Sequence, residues 1–270
     1  MSRVALIAGG GRLPASLHTE LAGQGHSPLV CAPEGVSPDG LSVDLPFRFE
    51  RLAPFLRALA DHGVTQVVLA GAIQRPTMDP SMFDRETASF VPGMIAAMQG
   101  GDDAALRWFI ALIEEFDIAV VGLADVAPGL LVGDGVLTTR DPLRSEQDDA
   151  ARGGDILSAL SPVDVGQGCV VASGLCLGVE TIFGTDALLA DVARHRQERA
   201  PHSGGVFVKR AKAGQDLRAD LPTIGVATVN AAVRAGLGGL CLQAGRVIVL
   251  DRPAVVAAAD AAGLALWAVP

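Results

Sequence analysis

The sequence contains no tyrosine, and aromatic residues of all kinds make up only 4 % of it. Any core must therefore be built from aliphatic side chains. Half of the 270 residues are hydrophobic, which is enough for a sizeable core in one large domain or two modest ones. An aliphatic bias combined with 32 glycines suits parallel sheets, whose strands are covered on both faces and joined by tight turns. Positive charge is also in deficit: 21 Lys and Arg against 30 Asp and Glu leave a net charge of −9. Such a surface repels phosphodiester backbones, so nucleic acid is not an expected partner. The four cysteines, Cys31, Cys169, Cys176 and Cys241, form no CxxC pair and lie in apolar strings. They read as buried thiols in a reducing, cytosolic compartment. No apolar run approaches the ~18–20 residues of a spanning helix. The run from Val4 to Ala8 is too short for a signal-peptide core and flows into a glycine turn. His18, His26, His62, His195 and His202 show no metal-ligand spacing, and no nucleophile elbow, Walker loop or zincin motif occurs.

The remaining pattern is an alternation of strands and helices. Val4 to Ala8, Leu29 to Ala32, Gln66 to Ala70 and Ile118 to Leu123 read as strands. A helix is expected from Pro14 to about Gly23 or Gly25, another from Leu52 to His62, and a third from Ala104 to Phe116, with an Asp as its N-cap. Between the last two lies a loop holding Pro80 and Pro92. This order predicts an N-terminal Rossmann-like parallel sheet. The texture changes between residues 125 and 145. Beyond it a helix is expected from Ser145 to Leu160, then a hairpin of Cys169–Ala172 and Leu175–Glu180 around Ser173-Gly174. Further helices are expected from Gly184 to about Arg199, Val229 to Ala235 and Pro253 to Ala262. Strands are expected at Val206–Lys209, Cys241–Leu242, Val247–Leu250 and Leu264–Val269. The fold class is thus α/β, with a Rossmann-like domain over 1–130 and a C-terminal catalytic α/β domain with a mixed sheet over 131–270.

Four segments carry residue types suited to chemistry. Gly9-Gly10-Gly11-Arg12-Leu13-Pro14 joins a strand to a helix, where glycines let the backbone approach a phosphate or sugar and free N–H groups face it. It is not the dinucleotide fingerprint, because Pro14 replaces the third glycine; the nearest following acid is Glu34, in a Pro-rich turn. Gly101-Asp102-Asp103 places two carboxylates at a helix start, as a cap or as support for a hydrated cation. Gly184-Thr185-Asp186 opens another helix, as a cap or as a nest of N–H groups facing substrate. The richest segment holds Lys209, Lys212, Gln215, Asp216, Arg218, Asp220 and Thr223. If extended, Asp216, Arg218 and Asp220 point the same way. Two carboxylates flanking a guanidinium suit a site that positions an anion, a cation and a water together, and they equally suit an ion-pair ladder on a surface strand.

Taken in order, Ile7 to Pro14, Gly101-Asp102-Asp103, Asp164-Val165-Gly166-Gln167, Glu180 with Gly184-Thr185-Asp186, and Gln215 to Gly225 resemble the LpxI-type UDP-2,3-diacylglucosamine diphosphatases of lipid A biosynthesis. The resemblance spans nearly the whole chain, and its last string is the most specific. It implies a two-domain enzyme that hydrolyses UDP-2,3-diacylglucosamine to UMP and 2,3-diacylglucosamine 1-phosphate (lipid X), assisted by Mg²⁺ or Mn²⁺, with substrate between the domains. It implies an essential acid matched to Asp220, with Asp216 as the rival match, and makes these two the candidate metal ligands. Arg218 completes the catalytic set. Gly10, Gly11, Arg12, Leu13, Gly101, Asp102, Asp103, Thr185, Asp186, Lys209, Lys212, Gln215 and Thr223 are the candidate substrate-binding residues. A homodimer and cytoplasmic, peripheral contact with the inner membrane are further expectations. The sequence departs from the family pattern at Gln74-Arg75-Pro76, where a basic residue is expected in place of Gln74. Two other classes compete. A Rossmann-type dehydrogenase is disfavoured by Pro14 and the missing acidic partner. A non-catalytic nucleotide-sugar binding or regulatory module would bind UDP without turnover.

Overall fold

The computed structural model describes residues 3–73, 77–199, 201–212, 216–218 and 221–270. The chain forms two compact units. The first runs to Pro128 and takes in 216–218 from the later chain; the second starts at Gly129. Among the described residues no helix is long and apolar enough to cross a membrane.

The first unit holds the strands β1 (Arg3–Ala8), β2 (Leu29–Pro33), β3 (Leu45–Phe47), β4 (Val64–Ala70) and β5 (Ala119–Val120). Its helices are α1 (Leu13–Gly23), α2 (Leu52–Asp61), α3 (Val91–Gln99), α4 (Asp102–Glu114) and α5 (Leu123–Val126). The sheet is parallel, in the order β3-β2-β1-β4-β5. The Rossmann-like expectation is therefore met. The apolar stripe of α2 (Leu52, Leu56, Leu59) and that of α4 (Phe109, Ile110, Ile113) bury against Ala5, Ile7 and Val67 of the sheet. Phe47 stacks on Phe55 with ring centroids 4.1 Å apart. Strand order reverses between β1 and β4, so the crevice beyond their carboxyl ends is where such a sheet takes a ligand.

Two local expectations fail here. Pro92 lies in the first turn of α3 rather than in a loop, since a proline at that position gives up an N–H that has no helical partner anyway. Gly101, not an aspartate, is the N-cap of α4: its φ of +99° suits only glycine, and the helix begins one residue later at Asp102. The short strand β3 was also missed, because three residues are too few for an alternating pattern to register.

The second unit contains β6 (Gly135–Val136), α6 (Arg144–Leu160), β7 (Gly168–Ala172), β8 (Leu175–Val179), α7 (Gly184–His195), β9 (Val206–Lys209), β10 (Thr223–Ile224), α8 (Val226–Arg234), β11 (Gly239–Gln243), β12 (Ile248–Val249), α9 (Arg252–Ala261) and β13 (Ala265–Val269). Its main sheet is mixed, in the order β6-β13-β11-β9-β7-β8. Strands β9, β11 and β13 run parallel, while β7 pairs antiparallel with β8 and β9, and β6 antiparallel with β13. The pair β10 and β12 forms a separate parallel ribbon. One face of the main sheet packs Phe207, Leu240 and Leu242 against Leu189, Val229 and Val255 of α7, α8 and α9. The other packs Val208 and Trp267 against Ala150 and Leu157 of α6. A methyl group at Gly153 of α6 would stand 2.6 Å from a Val208 methyl, so glycine lets this helix lie close on the sheet.

The hairpin is present as expected, but Cys176 is exposed rather than buried because β8 is an edge strand. Its Sγ is 3.9 Å from that of Cys169. Burial first, then this neighbouring thiol, pushes the Cys169 pKa up to about 12.

Candidate functional site

Among the described residues, the candidate site residues fall mainly at three polar clusters, two in the first unit and one in the second. The first place is the crevice at the carboxyl ends of β1 and β4. Gly10 N–H donates to Ala72 O at 2.8 Å, and Ala72 N–H donates to Gly10 O at 3.1 Å. This brings the two loops so close that a Cβ at Gly9 would lie 2.6 Å from Ala72 O. Gly11 then takes a left-handed φ of +87° to turn the chain into α1, with Pro14 in its first turn and Arg12 exposed. Leu13 is the first helical residue.

Beside this turn opens a cleft of about 520 Å³, lined among others by Gly10, Glu34, Arg48, Phe49, Glu50 and Ala72. Glu34 follows the end of β2, the position from which an acid can reach a ribose. The Arg48 guanidinium lies 3.1 Å from Glu34 and 3.4 Å from Glu50. Burial alone would raise the Glu50 carboxyl. The Asp79 N–H at 2.9 Å and the Arg48 charge outweigh it and hold that pKa below the ordinary carboxylate value. Arg48 and Glu50 were not singled out from sequence. Glu34 was the acid found wanting there; the end of β2 gives it a place.

The second place runs along α4. Asp103, Arg107 and Glu114 follow helical spacing along that helix, and Arg107 pairs with Asp103. Residues 216–218 belong to the same unit. Arg218 grips both oxygens of Asp216, at 3.0 Å through Nε and 2.7 Å through Nη2, and reaches Glu114 at 2.8 Å through Nη1. Its own backbone N–H donates to Asp216 at 3.1 Å. That last bond closes a turn, so 216–218 is not extended as expected. An aspartate two residues before a free N–H satisfies it locally, which competes with strand geometry. The Arg218 hydrogen bonds, acting against burial and joined by the charge of Arg107, hold the Asp216 pKa below its ordinary value. The Arg218 pKa is raised, first by Asp216. A guanidinium has five N–H groups. Three bond to the described residues, leaving two that take no partner among them and can serve a phosphate oxygen. Sequence reasoning missed Glu114, since a lone acid at a helix end carries no signal until its partner is placed.

The third place is in the second unit, at the carboxyl end of β9. Lys209 Nζ donates to Glu180 Oε2 at 2.6 Å and to Thr185 Oγ1 at 2.8 Å, and the Thr185 hydroxyl donates to Glu180 at 3.0 Å. Lys209 is 3 % exposed and Glu180 9 %. Glycines make the room: a Cβ at Gly168 would stand 2.5 Å from Glu180 Oε2, and one at Gly166 only 2.0 Å from the Glu180 carbonyl oxygen. Asp186 follows in the first turn of α7. Lys212 Nζ donates to Asp164 at 2.5 Å. Thr223 stands apart, on the β10–β12 ribbon, its hydroxyl bonded to Leu221 O at 3.2 Å.

Asp220 and Gln215 lie outside the described residues, as does Gln74. Among the described residues no three His, Cys, Asp or Glu side chains converge on a metal position. Both oxygens of Asp216 are engaged by Arg218. The described donors therefore do not make a cation site.

Comparison with known proteins matches residues 3–130 to the LpxI N-terminal domain and residues 133–267 to the LpxI C-terminal domain. A curated relative, the UDP-2,3-diacylglucosamine pyrophosphatase LpxI of Caulobacter vibrioides, is 36 % identical over 273 residues, covering 98 % of this chain and 96 % of the relative.

Proposed function

Because the chain belongs to the LpxI family, we propose that it hydrolyses the pyrophosphate bond of UDP-2,3-diacylglucosamine, giving UMP and 2,3-diacylglucosamine 1-phosphate (lipid X) in lipid A biosynthesis. The end-to-end match of both halves to a pyrophosphatase carries this reading. One water is consumed and one P–O bond of the bridge is broken.

The residues present have the chemistry for the parts of this reaction. The cleft beside β1 and β4 has room for a nucleoside, with Glu34 as acceptor for ribose hydroxyls and the Gly10–Gly11 turn offering N–H groups to a phosphate. Arg218, held rigid between Asp216 and Glu114, keeps two N–H groups for phosphate oxygens, on which negative charge grows in the transition state. Asp220 is assigned as the base that orients the water. Asp103, Thr185, Lys209 and Lys212 are assigned to substrate binding. A divalent cation, Mg²⁺ or Mn²⁺, would add neutralisation of the diphosphate. Among the described residues its ligands do not assemble. A homodimer and peripheral contact with the cytoplasmic face of the inner membrane complete the proposal.

The test is UMP release from UDP-2,3-diacylglucosamine by the purified chain, with Mg²⁺ or Mn²⁺ and then with EDTA, beside Asp220→Ala. Release of UMP and lipid X, lost in the variant and in EDTA, is the expected result. Absence of release with every metal, from a folded protein, overturns the hydrolase. Persistence in EDTA overturns the cation alone.

A further inference from the structure

The two most exposed large apolar side chains among the described residues are neighbours. Ile182 is 92 % exposed and Phe183 81 %, in the connection between β8 and α7. The connection is a hydrogen-bonded turn: Gly184 N–H donates to Thr181 O at 3.0 Å, and Phe183 N–H to the Thr181 hydroxyl at 3.5 Å. Gly184 takes a φ of +82° to enter the helix. The backbone therefore holds both side chains out into water. Burying them would be favourable, and the fold leaves them out.

Their position is informative. Glu180 lies just before the pair and Thr185 just after it, and both belong to the Lys209 cluster. An apolar tip thus stands directly on the polar end of the second sheet. This is the arrangement of an interfacial anchor, whose apolar part enters a lipid surface while polar groups remain in the headgroup layer.

We infer that Ile182 and Phe183 insert into the lipid surface from which the diacylated substrate is drawn. The choice of a bilayer as occupant rests on the hydrolase reading above, because that substrate is an amphiphile with two acyl chains. Area decides against this pair alone being the seam of the proposed homodimer. A stable protein interface takes about 800 Å² from each partner, whereas a buried phenylalanine supplies about 150–250 Å², and one isoleucine beside it does not make up the difference.

The experiment uses full-length protein and vesicles of phosphatidylethanolamine and phosphatidylglycerol. In flotation, wild type is expected to bind, and Ile182→Ser/Phe183→Ser to bind about tenfold less, with unchanged Tm because neither side chain packs on the fold. In the single variant Phe183→Trp, the difference spectrum against wild type is expected to shift to the blue on vesicle addition. The double variant should hydrolyse a water-soluble, short-acyl analogue of UDP-2,3-diacylglucosamine at the wild-type rate and slow only on vesicle-embedded substrate. Equal vesicle binding by wild type and double variant, or no binding by wild type, overturns the inference. So does a wild-type dimer that the double variant converts to monomer while its vesicle binding is kept. Failure of wild type to cleave the short-acyl analogue, with tip-dependent vesicle binding intact, overturns the hydrolase reading and leaves the lipid contact standing.

Discussion

The ion-pair cluster of the first unit is half open to water, whereas that of the second is sealed. The Arg218 side chain is 38 % exposed, with those of Asp216 at 16 % and Glu114 at 44 %; the side chains of Lys209 and Glu180 are at 4 % and 11 %. The chemistry is related, a cation gripped by two carboxylates at Arg218 and by a carboxylate and a hydroxyl at Lys209, yet the physical consequences differ. In the open cluster each charge retains some hydration, so losing a partner costs the fold little and spare donors remain within reach of a ligand. In the sealed cluster a charge that loses its partner has nothing to replace it, so the pair stands or falls together. Placement follows suit: the turn 216–218 and the end of α4 hold Arg218, whereas the connection after β8 and the start of α7 close over Lys209.

The largest expected effect tests the sealed cluster. Lys209→Met strands the Glu180 carboxylate and should cost about 3–5 kcal/mol of stability, measured by urea unfolding. The double variant Lys209→Met/Glu180→Leu should recover most of it. A double variant as unstable as the single one would break the comparison, since the loss would then be one of packing. Next comes the open cluster, with the opposite signature. Arg218→Ala should lower the rate of UMP release by roughly 10²–10³ while leaving the urea midpoint nearly unchanged. Arg218→Lys should not restore the rate, because an ammonium lacks the planar fork. Full activity in Arg218→Ala would remove this cluster from the active site.

Two smaller effects sharpen the contrast. Gly168→Ala drives a methyl group against Glu180 and against the Phe207 ring at 2.7 Å. It should cost about 1–3 kcal/mol by overpacking. Asp216→Asn should cost at most about 1 kcal/mol at neutral pH, as a part-exposed pair. The sign of its pH dependence follows from the lowered Asp216 pKa. The carboxylate stabilises the fold above its unfolded pKa of about 3.9, and that contribution is lost as pH falls through the lower folded value. The stability gap between wild type and Asp216→Asn, followed by thermal unfolding, should therefore be constant from pH 7 to 5 and close below pH 4. A gap that widens on acidification would contradict it.

The two units also differ in how much of them could be read from residues alone. In the first, strand–helix alternation with glycine stops was enough to anticipate a parallel Rossmann-like sheet, and β1, β2 and β4 were found within a residue or two. Each of these strands is a short apolar run whose hydrogen-bonding order is constrained by right-handed crossovers. In the second, the hairpin of β7 and β8 announced itself through Ser173-Gly174, and β12 lies within the strand expected at Val247–Leu250, but β10 and its pairing with β12 gave no signal. A two-residue strand whose partner lies beyond a helix and a whole further strand leaves no periodic trace. The helix start that departs furthest from its expected place is that of α8. Val226 opens α8 three residues before the expected Val229, with Gly225 as its extended N-cap: the Thr228 hydroxyl accepts from the Gly225 N–H at 3.4 Å, and the Thr228 N–H donates to Gly225 O at 3.0 Å.

What the sequence by itself determined is the set of local preferences: the α/β class, the glycine turn after β1, and the concentration of charge between Lys209 and Thr223. These depend on backbone dihedral preference and on apolar periodicity, which act over a few residues. Only the tertiary structure decided that Asp216 and Arg218 share a unit with α4 and meet Glu114, 104 residues away in the chain for Arg218. It likewise decided that Lys209 is a sealed cation rather than a surface one. Solvation and pairing of a charge depend on what the fold brings within a few ångströms of it, and residue spacing along the chain does not encode that distance.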